Sequence, residues 1–298
     1  MTKNILITGI NGFIGLHCYG VFNQKYNIFG LDVFGIEKKN FVLGELDYEN
    51  LLSFNKSFDA IIHLAGSGSV GMAQRNPEIE YAKTVLSSKH LLDFIINKSP
   101  ESKLIYVSSA AVYGNCKYSV ITEDCQLNPI STYGKHKVMV ENFIQEYSQK
   151  NDLKYDIIRP FSVYGNNLKK QVLWDFCNKI KDNFNNSEIL CFGTGEEERD
   201  FINVSDLVNC IELLMNDNKY GRIFNVGTGI ATSINTIFTT LTSLFNYKGK
   251  LVYNMEESKN NPKALVANID KLSAIGFKPQ IGIQEGLENY AKWFKEQN

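Results

Sequence analysis

A short apolar run, KNILITG, ends at Gly9, glycines recur at Gly12 and Gly15, and a helical pattern then runs to about Gln24. A strand that breaks at glycine into a helix leaves few folds open to the chain. The alternation then repeats. NIFGLDVF reads as a second strand, and FVLGELD as a shorter one before a helix from about Tyr48 to Asn55. DAIIHLAG is a strand followed by a long helix after Pro77, and KLIYVSS is a strand followed, past an irregular stretch, by a helix over about Thr132 to Gln149. KYDIIRPFSVYG is the next strand. DAIIHLAG and KLIYVSS hardly alternate in polarity, as expected of strands covered on both faces. The pattern predicts an α/β chain built on a doubly wound parallel sheet.

The second half is less regular. VLWDFCNKIKDNF reads as an amphipathic helix, RDFINV as a short extended run before a helix over Ser205 to Met215, and RIFNVGTG as a strand and turn. A last helix is expected near Glu285 to Lys295. No long linker separates the halves. The reading is residues 1–165 as a dinucleotide-binding domain and 166–298 mainly as a smaller, interleaved substrate lobe, with segments near 200–226 returning to the first domain. A formal net charge of −1 gives no electrostatic case for nucleic acid or an anionic membrane. The six cysteines are scattered with no C-x-x-C pair, so neither a zinc site nor a disulfide framework is suggested, and a cytoplasmic setting with reduced thiols is expected. No apolar run is long enough to span a bilayer.

Within the helix STYGKHKVMVENF, Tyr133 and Lys137 stand four residues apart and share one face. An ammonium held there favours ionisation of a phenol whose ordinary pKa is about 10. That would fit the tyrosine to take a proton from an alcohol near neutrality. The glycine loop, G-x-x-G-x-x-G, is one residue looser than the usual dinucleotide fingerprint, but it lets backbone approach a pyrophosphate and offers helix N–H groups to it. Asp32 ends the second strand about 20 residues on, where an acid accepts ribose hydroxyls and repels a 2′-phosphate. This favours NAD, while Lys38 and Lys39 nearby keep NADP open. Ser109 ends a buried strand and can bond the same substrate oxygen as Tyr133, although chemistry alone does not separate it from Ser108. His63, at the end of an apolar strand, reads as a satisfied core residue, and no residues have metal-ligand spacing. Arg199 suits a diphosphate, but an Arg–Asp neighbour pair such as Arg199–Asp200 is more often structural.

These motifs, in this order, resemble the extended short-chain dehydrogenase/reductase superfamily in its NAD-dependent epimerase/dehydratase branch. TGINGFIG looks like its cofactor loop, HLAGSGSVGMAQRNP like its fourth-strand segment, SSAAVYG like the strand of its catalytic serine, and YGKHK like its Tyr-x-x-x-Lys. RPFSVYG, GTGEEERDFINVSDL, FNVGTG and IDKLSAIGFKP are similar to its later landmarks. The resemblance implies a Rossmann-like domain and a nucleotide-diphosphate sugar as substrate. It implies Tyr133 as acid/base, Lys137 binding the nicotinamide ribose and lowering the tyrosine pKa, and Ser109 orienting the reacting oxygen. It implies Gly9, Asn11, Gly12, Phe13, Ile14, Asp32, Leu64 and Ala65 around the cofactor, with Asp47 near the adenine. Ser69, Ser162 and Arg199 would meet the substrate. Sugar 4,6-dehydratases carry an Asp-Glu pair where this chain has Ala110 and Ala111, which argues against dehydration. Thr84, Ser162 and Asn268 replace an asparagine, an asparagine and an aspartate of the pattern, and Lys263 stands near where a phosphate-binding arginine is missing.

The first functional reading is an NAD-dependent epimerase acting at C4. The alternative is an NAD(P)H-dependent reductase or dehydrogenase of a nucleotide-activated keto-sugar. A catalytically silent dinucleotide-binding regulatory protein is the third. By analogy the chain is a homodimer, paired through the helix carrying Tyr133 and the one after Pro77.

Overall fold

The computed structural model describes residues 2–35, 38–66, 70–116, 120–256 and 263–297. Ser69, expected at the substrate, lies outside the described residues. The first part of the chain runs β1 (Asn4–Thr8), α1 (Phe13–Phe22), β2 (Asn27–Asp32), β3 (Phe41–Leu43), α2 (Tyr48–Leu52), β4 (Ala60–His63), α3 (Val70–Arg75), α4 (Pro77–Tyr81), α5 (Ser87–Lys98), β5 (Lys103–Val107), β6 (Val120–Ile121), α6 (Thr132–Asn151) and β7 (Tyr155–Pro160). The remainder runs β8 (Ser162–Tyr164), α7 (Gln171–Asp182), β9 (Glu188–Cys191), β10 (Glu198–Arg199), β11 (Phe201–Asn203), α8 (Val204–Asn216), β12 (Arg222–Val226), β13 (Thr232–Ser233), α9 (Ile234–Leu244), β14 (Lys250–Tyr253), β15 (Ala264–Ala267), α10 (Asp270–Ser273) and α11 (Ile283–Glu296).

The central sheet has seven strands in the order β12-β7-β5-β4-β1-β2-β3. β1 pairs in parallel with both β2 and β4, and the β4–β5, β5–β7 and β2–β3 pairs are parallel too. The expected Rossmann-like doubly wound sheet is therefore present. From β1 the order runs outward through β2 and β3 on one side and β4, β5 and β7 on the other. The switch in strand order at β1 and β4 leaves a crevice beyond their carboxyl ends, where ligands of such sheets bind. Ile5, Leu6, Ile7, Ile61, Ile62, Leu104 and Ile105 are fully buried, which explains why these strands show no alternation.

The chain forms two compact units. One comprises Met1–Gly114, Cys125–Pro160 and Val208–Phe224; the other comprises Asn115–Asp124, Phe161–Leu207 and Asn225–Asn298. The second unit holds a four-stranded sheet in the order β13-β10-β15-β6 and two strand pairs, β11–β8 and β14–β9. Its anchor is Asp200, whose fully buried carboxylate accepts bonds from the Thr228 N–H and Oγ1 (both 2.7 Å), the Gly229 N–H (2.9 Å) and the Ala267 N–H (3.2 Å).

Three expectations need correction. KYDIIRPFSVYG is two strands: β7 lies in the central sheet, while β8 pairs with β11. The break falls after Pro160, which has no N–H to continue a ladder. The long helix after Pro77 is interrupted by a π-helical turn over Ala82–Leu86. There Ser87 and Ser88 turn their hydroxyls back onto the Lys83 and Thr84 carbonyls, four residues earlier. α9 was not foreseen, because INTIFTTLTSL is rich in β-branched residues that weaken a helical reading.

Candidate active site

Thr8 ends β1 and Gly9 turns the chain with a φ of +73°. A Cβ on Gly15 would stand 2.3 Å from the Gly9 carbonyl oxygen, so only glycine lets α1 start this close to the strand. Gly12 is the N-cap of α1 and supplies no side-chain cap, which leaves first-turn N–H groups of a ten-residue helix for a ligand. Phe13 and Ile14 open the helix and are half-buried. Ala65 and Leu64, after β4, pack on the loop: a Cβ on Gly9 would meet the Ala65 nitrogen at 2.8 Å and the Leu64 carbonyl carbon at 3.0 Å. The structure thus brings Gly9, Gly12, Gly15, Leu64 and Ala65 together at the switch point.

Asp32 is buried, and its carboxylate accepts from the Asn11 and Val33 N–H groups, each at 2.8 Å. Burial pushes its pKa up, and these backbone bonds pull it down. Asn11 also donates through Nδ2 to the Phe34 carbonyl at 2.6 Å, so it fastens the loop after β2 to the glycine loop. Lys38 rests its ammonium over the Tyr19 ring, 4.2 Å from the centroid. Asp47 uses its carboxylate to cap α2, accepting from the Asn50 N–H at 2.8 Å and from Asn50 Nδ2 at 3.2 Å.

Tyr133 sits in the first turn of α6, capped by Ser131 accepting from the Gly134 N–H at 3.0 Å. A Cβ on Gly134 would lie 2.5 Å from the Ala111 carbonyl oxygen. A glycine beside the tyrosine therefore lets α6 close onto the 3₁₀ turn at Ala110–Val112 that follows Ser109. As a result the Tyr133 hydroxyl is hydrogen-bonded to Ser109, whose Oγ also accepts from the Ala111 N–H at 3.2 Å. Ser108 faces the other way: it is buried and donates to Glu141 Oε1. Of the two serines, Ser109 is the one bonded to Tyr133.

Lys137 is buried, donates to the Val107 carbonyl at 2.9 Å, and stands 5.8 Å from the Tyr133 ring centroid and 4.9 Å from that of Tyr106. Burial lowers its pKa to about 8, while Glu141 pulls it upward. Tyr133 lies above its ordinary value because it is buried, with the Ser109 bond opposing. The expected lowering of the phenol by Lys137 is not seen here. The ammonium is engaged with a backbone carbonyl, and desolvation outweighs it. His63 lies in the core as read: its ring nitrogens bond Thr8 Oγ1 and Ser88 Oγ, each at 2.8 Å, and burial lowers its pKa to about 3. Thr84 donates to Glu80 Oε1 at 2.7 Å.

In the second unit, Arg199 donates from Nη1 to the Glu198 carbonyl at 2.7 Å. Burial lowers its pKa and Glu197 raises it. The acid beside it is Glu197, and not Asp200, whose carboxylate is spent on the turn at Thr228–Gly229. Ser162 opens β8, its N–H bonded to the Asp200 carbonyl at 2.9 Å. Asn268 accepts through Oδ1 from the Asp270 N–H at 3.0 Å, at the start of α10.

Sequence reasoning missed Glu141 and Arg159. Glu141 lies four residues beyond Lys137 on α6, so the spacing that paired Tyr133 with Lys137 also pointed to it. Among the described residues no group of three or more His, Cys, Asp or Glu could hold a metal ion, and no helix is long and apolar enough to cross a membrane.

This chain is 29% identical over 310 residues to a Methanocaldococcus jannaschii protein provisionally named UDP-glucose 4-epimerase, with 99% of each chain covered. Its structure is similar to that of a UDP-N-acetylglucosamine 4-epimerase from Methanobrevibacter ruminantium M1 in complex with UDP-N-acetylmuramic acid. There the TM-score is 0.89 and the identity 25%, over 100% of this chain and 99% of that one. The UDP-glucose 4-epimerase of Thermotoga maritima with UDP-glucose gives a TM-score of 0.87 at 26% identity, covering 99% of each chain. A glycine loop at the sheet's switch point, with a serine-bonded tyrosine and a buried lysine on one helix, agrees with these likenesses. The profile of the NAD-dependent epimerase/dehydratase family matches residues 5–227, and the chain belongs to that family.

Proposed function

We propose that this protein is a nucleotide-sugar 4-epimerase that works on a UDP-sugar with NAD as resident cofactor. The observation that carries the reading is the Ser109–Tyr133 hydrogen bond with Lys137 one helical turn behind it. NAD suits the residues present: Gly9, Gly12 and Gly15 admit a pyrophosphate to the α1 N-terminus, and the Asp32 carboxylate at the end of β2 opposes a 2′-phosphate. When bound, NAD would supply the acceptor and donor of hydride for the sugar carbon.

The protein's own residues manage the proton and the geometry. Tyr133 takes the proton of the sugar hydroxyl and gives it back after the sugar has turned over. Ser109 holds the reacting oxygen against the phenol. Lys137 supplies positive charge beside it and binds the cofactor's ribose. Asn11, Phe13, Ile14, Leu64 and Ala65 line the cofactor, Asp47 lies toward the adenine, and Ser69, Ser162 and Arg199 contact the substrate, with Arg199 on the diphosphate. Ala110 and Ala111 offer no acid or base to the neighbouring sugar carbons, which supports epimerisation over 4,6-dehydration. The exposed Ile79 and Tyr81 on α4 and Met139 on α6 support a homodimer through these helices. Cys18, Cys177, Cys191 and Cys210 are buried thiols, which suits a reducing cytoplasm.

The test is to incubate purified protein with UDP-glucose or UDP-N-acetylglucosamine labelled with tritium at C4, with no cofactor added. The expected result is conversion to the C4 epimer with the label retained, and loss of at least ~100-fold of the rate in Tyr133→Phe. Stoichiometric consumption of added NADH or NADPH, with no epimer formed, would replace the epimerase by the reductase.

A further inference from the structure

Beside the serine–tyrosine–lysine face lies a buried polar network, of which the proposed chemistry uses only Lys137. Glu141 is 0% exposed, Arg159 is 2% exposed and Lys137 is 4% exposed. Arg159 grips Glu141 with Nη2 to Oε2 at 2.6 Å and Nε to Oε1 at 3.1 Å, and donates from Nη1 to the Tyr113 hydroxyl at 2.8 Å. Ser108, next to Ser109, donates to the same carboxylate. Glu141 also lies one helical turn from Lys137 and acts on it electrostatically. Glu141 is thus ion-paired with Arg159 and acts on Lys137 only at longer range, so two buried cations lie near one buried anion.

The other groups about Lys137 are neutral. Tyr106 of β5 lies under its ammonium, with a hydroxyl held far above its ordinary pKa by burial. His63 of β4 remains unprotonated because it is buried. Tyr133 is raised as described. Further around and along α6, His136 meets Glu80 of α4 and Tyr147 donates to Asp93 of α5.

We propose that Glu141 is a positioning residue for the active site: its carboxylate, bonded to Arg159 and one helical turn from Lys137, holds Lys137 as an ammonium and, through Ser108, anchors the strand end that presents Ser109. Removing one partner of a buried charge network leaves the remaining charges uncompensated. Without Glu141, Lys137 would lose the negative charge that pulls its pKa up and would give up its proton more readily. Without Arg159, Glu141 would serve Lys137 alone and hold that proton longer. The inference rests on the proposed role of Lys137.

The test follows the charge on Lys137 in two ways. One is the alkaline limb of the epimerase pH–rate profile. The other is the pH titration of lysine ε-carbons by NMR in ¹³C-lysine-labelled protein, with the Lys137 signal assigned by its loss in Lys137→Met. In Glu141→Gln, which keeps the shape but turns one of the two acceptor oxygens into a donor, both should move to lower pH by about 1 to 2 pH units. A charge lost at a separation of roughly 6 to 12 Å has about that effect at an effective permittivity of ~20. Arg159→Met should move both to higher pH, and Glu141→Gln/Arg159→Met should return both toward wild type. A purely structural role would lower stability in all three variants and leave both midpoints within about 0.3 of wild type, which would overturn the proposal. Should Glu141→Gln fail to fold, the upward movement in Arg159→Met decides alone, and its absence refutes the proposal. Full turnover in Lys137→Met would instead sink the reading of the active site itself.

Discussion

Replacing Lys137 by methionine should abolish turnover and yet make the cofactor-free protein more stable at neutral pH. Lys137 is almost fully buried, and its pKa falls from 10.5 to about 8 because burial disfavours the charge. At ~1.4 kcal/mol per pH unit this fall corresponds to about 3 kcal/mol of native-state destabilisation by the ammonium. The sign follows from proton binding. Between pH 8 and 10.5 the unfolded chain holds a proton on this lysine and the native chain does not, so stability rises with pH across that window. Below pH 8 both states are protonated and the whole penalty is present. Methionine fills similar space without charge, but leaves the Val107 carbonyl without its donor, a loss of ~1 kcal/mol. The variant should therefore be more stable by about 2 kcal/mol at pH 7. Its advantage should shrink by about 3 kcal/mol by pH 10.5 and so reverse slightly. Urea denaturation of both proteins, stripped of cofactor, at pH 7 and at intervals to pH 10.5 measures this, and groups titrating equally in both proteins cancel in the difference. A stability gap independent of pH would refute the argument, because it would mean that the lysine carries no desolvation penalty. A residue that costs stability while its charge serves the site is what a stability–activity trade-off looks like at atomic scale.

Gly15→Ala should lose NAD binding and much of its stability, since the new Cβ would meet backbone oxygens of Gly9 and Ile10 at 2.3 and 2.6 Å; thermal melting with and without NAD reads both. Asp32→Ser should raise NADP affinity relative to NAD by removing charge repulsion. It should weaken both cofactors because Asn11 loses its acceptor, and paired calorimetric titrations compare them. Arg199→Ala should raise the KM for the UDP-sugar by roughly 30- to 150-fold, the worth of a charge-assisted contact, with NAD affinity unchanged. Equal UDP affinity in mutant and wild type would remove Arg199 from the site.

Much of the candidate site was legible in the amino-acid sequence because its logic is local. A glycine loop joins one strand to one helix, and Tyr133 and Lys137 are held one turn apart by helical geometry alone. The unbroken apolar character of DAIIHLAG and KLIYVSS already required cover on both faces, and hence a parallel sheet with helices on either side. Other features depended on residues far apart in the chain. Ser108 and Ser109 are chemically alike, and only the packing of α6 on the turn after β5 turned one toward Glu141 and the other toward Tyr133. Asp200 and Arg199 are neighbours in sequence, but the fold gave the aspartate to the turn at Thr228 and left Glu197 beside the arginine. The phenol's pKa likewise could not be read from the four-residue spacing. The spacing sets only how near a charge can come, whereas burial sets what that charge costs, and burial is a property of the whole packed unit.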